Sequence, residues 1–116
     1  MIVVMTNGLF DVLDVGHIRH LKEARSLGDR LIVALTTDQS MKGYRPVNPW
    51  PRRAEVLLAI RYVDEVVPCS GSLDAFYKIK PDIFSKGIAD RDRQSVDFLK
   101  NTCDRFGVEF KWRNFL

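Results

Sequence analysis

The stretch Ile2-Val3-Val4-Met5-Thr6-Asn7-Gly8-Leu9-Phe10-Asp11-Val12-Leu13-Asp14-Val15-Gly16-His17 decides how this 116-residue chain folds. Its first four residues are unbroken apolar, the pattern of a strand (Ile2 to Met5) buried on both faces. From His17 to Leu27 the apolar positions Ile18, Leu21, Ala24 and Leu27 recur every third residue, the stripe of an amphipathic helix, with Gly28 as its C-terminal cap. A strand that feeds a helix through such a turn aims backbone N–H groups and the positive end of the helix into one crevice. That is a ready anion site. Gly8 and Gly16 are expected to let the backbone turn tightly and approach a phosphate closely. The turn is neither GxGxxG nor a P-loop ending in Lys-Ser/Thr, so neither fingerprint is supported.

Outward from that stretch the alternation repeats. Leu31 to Leu35 reads as a second strand, Thr36 to Pro51 as a polar loop, and Arg52 to Arg61 as a helix packing through Ala54, Leu57 and Leu58. Val63 to Val67 is a third strand, Ser72 to Ile79 a short helix, and Asp82 to Ser85 a fourth strand. Gln94 to Phe106 is a further helix and Val108 to Trp112 a fifth strand. Strand and helix in alternation predict an α/β fold, a doubly wound open parallel sheet of about five strands with helices on both faces. One domain is expected over residues 1–116. Ligands of such sheets bind in the crevice at the carboxyl ends of the strands.

The composition, 46% hydrophobic and 28% charged with a net charge of +3, is that of a globular chain with neither a basic tail nor an acidic block. Nucleic acid is therefore not an expected partner. No apolar run approaches the roughly 20 residues of a membrane span, and the N-terminus has no secretory pattern, so a cytoplasmic protein without membrane contact is expected. Cys69 and Cys103 have no CxxC or metal spacing and read as reduced, buried thiols. Between Asp38 and Glu55 there is no acidic residue, yet Lys42, Arg45, Arg52 and Arg53 all fall there. Four such cations suit a triphosphate and a second phosphate group; a solvated basic loop is the plainer alternative.

The Gly8 to His17 stretch resembles the GxFDxxHxGH signature of the cytidylyltransferase-like nucleotidylyltransferases. The likeness is nearest to the adenylyltransferase domain that makes ADP-heptose, with glycerol-phosphate cytidylyltransferase next. Leu27 to Ala34, Lys42 to Pro49 followed by Arg53, and Pro81-Asp82 leading into Lys86-Gly87 agree with it, in order and spacing. Ile60 to Val66 looks more like the cytidylyltransferase branch. The resemblance implies a Rossmann-like nucleotidylyltransferase fold and a nucleoside monophosphate transfer from a nucleoside triphosphate, ATP ahead of CTP, to a phosphorylated sugar or polyol. Pyrophosphate leaves, and Mg²⁺ is expected with the triphosphate. The resemblance also implies a homodimer, through Arg61 to Glu65. Such a reaction needs positioning and positive charge more than acid–base help.

Carried onto this chain, the resemblance implies that His17 bonds the reacting phosphates with Lys42, and that Asp14 occupies the catalytic position of the first motif histidine. Thr6, Asn7, Gly8, Leu9, Phe10, Gly16, Arg53, Lys86 and Gly87 are expected to bind nucleotide or phosphate. Asp11, Lys42 and Arg45 are expected at the acceptor, Asp11 chiefly by holding its turn through side-chain to backbone bonds. Lys86 reads equally as a lysine lying along the surface. His20 is expected at the surface, and Trp50 and Trp112 in packing.

Two departures from the pattern matter. A carboxylate at Asp14 can only accept hydrogen bonds and adds like charge beside a triphosphate unless Mg²⁺ bridges them, so Asp14→His is expected to raise turnover. Asp14 is also a preferred N-cap. In addition, the family continues into a Gly-Ser-Thr-Thr type phosphate clamp, whereas this sequence ends at Arg113-Asn114-Phe115-Leu116. The competing expectation is therefore a catalytically impaired nucleotide-binding module.

Overall fold

The structure, a computed structural model, describes residues 1–40, 43, 45–70, 73–87 and 93–113. Five strands, β1 (Val3–Gly8), β2 (Arg30–Thr36), β3 (Glu65–Cys69), β4 (Ile83–Gly87) and β5 (Glu109–Arg113), form one sheet in the order β3-β2-β1-β4-β5. Every pairing is parallel. The helices α1 (Val15–Ser26), α2 (Trp50–Leu58), α3 (Asp74–Ile79) and α4 (Arg93–Arg105) make the crossovers. The chain winds outward in one direction through β2 and β3, then returns past β1 to β4 and β5. The reversal lies between β1 and β4, the place where open α/β sheets open a ligand crevice.

Side-chain alternation along the strands divides the core between the two faces. Val4, Leu31, Val33, Leu35 and Ile83 pack with Leu21, Ala24, Ala54 and Leu57 of α1 and α2. Met5, Ala34 and Phe84 pack on the other face with Ala75, Phe76, Leu99 and Cys103 of α3 and α4. Both cysteines are buried, and burial raises the Cys103 thiol to about 11, so Cys103 is not a nucleophile at neutral pH.

The opposite, amino-terminal ends of the strands are stitched by carboxylates. Asp29, Asp64 and Asp82 each stand one residue before a strand, and each accepts from a backbone N–H of an adjacent strand or its lead-in. The partners are Ile2 at 2.7 Å, Leu31 at 2.8 Å and Val3 at 2.8 Å. The resemblance in the Leu27 to Ala34, Ile60 to Val66 and Pro81-Asp82 stretches therefore lies in part on sheet assembly.

Gly28 is not the left-handed cap expected from its place after the helix. An added Cβ would lie 2.8 Å from the Ile2 carbonyl oxygen and from the Ile2 and Val4 methyls, so the residue is small because α1 turns into β2 directly against β1.

Candidate functional site

The site is built around the turn that joins β1 to α1. Its sharpest bend falls on Phe10, whose φ of 46° places a bulky residue in the left-handed region. The glycines do not take that conformation. Gly8 instead makes room: a Cβ there would come within 2.8 Å of the Phe10 ring. Phe10 itself is buried in the core, with its ring 5.6 Å from that of His17.

Asp14 ends the turn as the N-cap of α1. Its Oδ1 accepts from the His17 backbone N–H at 3.1 Å, and its own N–H lies 3.3 Å from His17 Nδ1. The amide of His17 holds the Asp14 carboxyl below its ordinary range, with the imidazole and the Gly16 amide helping. The carboxylate is open to solvent and His17 is half-buried.

A second layer fixes the turn from the α2 side. Asp11 accepts from the backbone N–H groups of Val47 at 2.7 Å and Asn48 at 2.8 Å, and the Asn48 side chain returns a bond to the Asp11 carbonyl at 3.0 Å. Asp11 thus holds two loops together, in the side-chain to backbone manner expected of it. Arg53 lies beneath. It is 1% exposed and donates to the carbonyls of Leu9 (2.8 Å), Thr36 (2.9 Å) and Asn48 (2.9 Å) and to the Asp38 carboxylate. This corrects the expectation that Arg53 is an uncompensated cation for phosphate: its guanidinium is spent on tying three loop segments together. The Trp50 indole N–H donates to the Leu35 carbonyl at 2.9 Å, in keeping with a packing role. A hollow of about 290 Å³ opens here, lined chiefly by Phe10, Val12, Leu13 and Val56. Arg45 is exposed on the same loop. Lys42 and the Trp112 side chain lie outside the described residues.

At the crevice between β1 and β4, Lys86 donates to Asn7 Oδ1 at 2.7 Å, joining the carboxyl ends of the two strands. Thr6 points the other way. Its side chain is fully buried and its hydroxyl pairs with His20 Nε2 at 2.8 Å, so Thr6 sits under the cradle and not in it. His20, expected at the surface, is 7% exposed. Its position three residues after His17 and four before Ala24 puts it on the buried arc of α1, a signal that a count restricted to apolar residues passes over. Burial lowers its pKa to about 4, aided by the nearby charges of Lys86 and His17. Both groups therefore bear on one buried imidazole, which brings the α1 end and the β4 end of the crevice together.

The turn thus carries Gly8, Phe10, Asp14, Gly16 and His17 into the start of α1, Asn7 and Lys86 meet at the ends of β1 and β4, Gly87 ends β4, and Thr6 and Arg53 lie beneath. A doubly wound parallel sheet with a helix N-terminus at the point where the strand order reverses defines a Rossmann-like α/β protein. The chain belongs to the cytidylyltransferase-like family, which matches residues 5–102. It is 47% identical over 111 residues to the FAD synthase of Pyrococcus horikoshii, covering 90% of this chain and 74% of that protein. It is 50% identical over 90 residues to the FAD synthase of Pyrococcus abyssi, covering 72% of this chain and 61% of that protein. Against the bifunctional protein HldE of Aeromonas hydrophila the identity is 47% over 119 residues, 97% of this chain but 25% of that protein. The chain thus spans less than two thirds of the Pyrococcus abyssi protein and a quarter of this longer relative. The crystal structure of the lipopolysaccharide core biosynthesis protein from Thermoplasma volcanium GSS1 superposes with a TM-score of 0.82 at 28% identity, covering all of this chain and 97% of that one. Among the described residues no helix is long and apolar enough to cross a membrane.

Proposed function

We propose that this protein is a nucleotidylyltransferase that moves AMP from ATP, with CTP the next candidate donor, to a small acceptor ending in a phosphomonoester. The observation that carries this reading is the N-terminus of α1, with His17 on its first turn, set at the β1–β4 crevice beside the Asn7-held ammonium of Lys86. An acceptor phosphate oxygen attacks the α-phosphorus, the bond from the α-phosphorus to the bridging oxygen breaks, and pyrophosphate leaves with that oxygen. Negative charge gathers on the phosphate oxygens throughout. The amides at the start of α1, His17 and Lys86 are donors placed to meet it. Arg45, and Lys42 on the same loop, supply charge for the acceptor's phosphate. Among the described residues no three His, Cys, Asp or Glu side chains gather as metal ligands, and both carboxylates of the turn are engaged with amides. Mg²⁺ is proposed to accompany the triphosphate as part of the substrate.

ATP is supported by the names of the relatives, since FAD is a phosphorylated flavin joined to AMP. The acceptor reading follows the same chemistry: a flavin mononucleotide and a sugar phosphate both present a phosphomonoester on a polyol chain. The hollow beside the turn, where Asp11, Asn48 and Arg53 join the apolar lining, suits the part of the acceptor that is not phosphate. A cytoplasmic homodimer is the accompanying proposal, to be checked by light scattering.

The deciding experiment is pyrophosphate release with ATP or CTP against flavin mononucleotide, heptose phosphate and glycerol phosphate. Steady release with one pair supports the enzyme and names its acceptor. Nucleotide binding without release for every pair supports the silent binding module instead.

A further inference from the structure

We propose that Asp14 is a positioning residue that holds the His17 imidazole by Nδ1 and so presents Nε2 to the phosphates; this rests on the nucleotidyl-transfer reading above. The Nδ1 atom faces two groups that ask opposite things of it. The Asp14 backbone N–H, 3.3 Å away, requires Nδ1 to accept, whereas Asp14 Oδ1, 3.0 Å away, requires it to donate. The carboxylate contact is shorter and charge-assisted, and an unprotonated Nδ1 would set two lone pairs against each other. Nδ1 therefore donates, and the ring is tethered to the cap of its own helix. With Nδ1 donating, Nε2 is the ring atom left for the phosphates, and it donates to a phosphate oxygen only when it carries the ring's second proton.

Among the described residues three groups bear on that ring. Asp14 comes from the cap, the Phe10 ring packs against it from the turn at 5.6 Å, and His20, one turn further along α1, stays neutral because of its burial. One oxygen, Asp14 Oδ1, thus serves two partners: it caps the His17 amide and it orients the His17 ring. The two jobs can be separated. Serine caps a helix as well as aspartate does, but its hydroxyl is too short to reach the ring. Asparagine retains an acceptor for both.

The test is the series Asp14→Ser, Asp14→Asn and Asp14→His, read by kcat, KM, melting temperature and ¹⁵N NMR of the imidazole. Asp14→Ser is expected to melt with the parent, lose at least tenfold in kcat with KM within about twofold, and show His17 as a tautomeric average. Asp14→Asn is expected to restore most of the loss. Adding Asp14→Ser to His17→Ala should cost little beyond His17→Ala alone, because Asp14 acts through the ring already removed. The tether reverses the expectation drawn from the family pattern for Asp14→His, which removes the carboxylate from Nδ1 and should not raise turnover; such a rise, unchanged kcat in Asp14→Ser, or fully additive losses would each overturn the proposal. If the parent turns over no nucleotide, the transfer reading fails by itself. The NMR spectrum then decides alone: a protonated Nδ1 in the parent that is lost in Asp14→Ser sustains the tether, and identical spectra remove it.

Discussion

Arg53 shows how a residue can be correctly singled out and given the wrong work. In sequence it is the last of four cations with no acid among them, which suits a phosphate ligand. In the structure Asp38, the acid that opens that interval, pairs with it, and carbonyls 5, 17 and 44 residues distant complete its hydrogen bonds. Contacts at such separation leave no local pattern to read. Arg53→Ala would leave those carbonyls unpaired in a dry interior, so it should cost about 3 kcal/mol, or about 10 °C in melting temperature. Arg53→Lys should recover little, since a single ammonium cannot span the same acceptors. A variant that melts with the parent and binds nucleotide weakly would return Arg53 to the phosphates. His20 makes a prediction of opposite origin. Its folded pKa, about 4, lies below the ordinary value of 6.5, so between those values the unfolded chain takes up a proton that the folded one refuses. Its contribution to stability is complete above pH 6.5 and is lost as the pH falls toward 4, on the order of 3 kcal/mol in all. Denaturant midpoints measured across that window should slope in the parent and flatten in His20→Gln.

At the scale of elements, the five strands and four α-helices among the described residues are legible in the sequence pattern, and the differences at the carboxyl ends of three strands share one cause. The expected strands Ile2 to Met5, Val63 to Val67 and Asp82 to Ser85 all stop short of the observed Val3–Gly8, Glu65–Cys69 and Ile83–Gly87. The residues missed at their carboxyl ends include Thr6, Asn7, Pro68 and Lys86. A crevice-lining end must carry groups other than aliphatic ones, so a reading based on hydrophobic runs loses the strand where the site begins. Glycine is the second lesson at this scale, because two glycines that follow helices do so for different reasons. Gly107, after α4, has φ +71° with open space around its Cβ position. Gly107→Ala should cost about 1 kcal/mol in backbone strain. Gly28 has no such conformation, but backbone oxygen and two methyls stand where a Cβ would go. Gly28→Ala should therefore cost more, roughly 2 to 3 kcal/mol, as overpacking between α1 and β1. Chemical denaturation of both variants tests the ranking. Equal losses would mean that the β1 lead-in yields freely and that close approach is not what requires a glycine there.

For the whole molecule, the pattern implied a parallel doubly wound sheet but not the order of its strands, since order is set by which apolar faces meet after collapse. That order makes the crevice. β1 joins the two halves of the sheet, and Lys86 bonds Asn7 across the ends of β1 and β4. Asp29 and Asp82 stitch the other end of the same sheet through strand amides. A ligand spanning α1 and β4 would add bonds across the crevice to the one that Lys86 makes with Asn7. Binding to the folded state alone should stabilise it by about 2.7 kcal/mol at a hundredfold excess over Kd, a rise of roughly 10 °C for a domain of this size. ATP with Mg²⁺ is expected to give the larger shift, CTP a smaller one, and the nucleosides none, because the phosphates make the bridge. His17→Ala and Lys86→Ala should each remove most of the ATP shift and leave the ligand-free melting temperature close to the parent's. Asp11→Ala, which frees the Val47 and Asn48 amides, should instead lower the ligand-free value. A shift with adenosine as large as with ATP would place the binding energy in the base and not in the phosphates. The α1 end and Lys86 would then lose the role assigned to them.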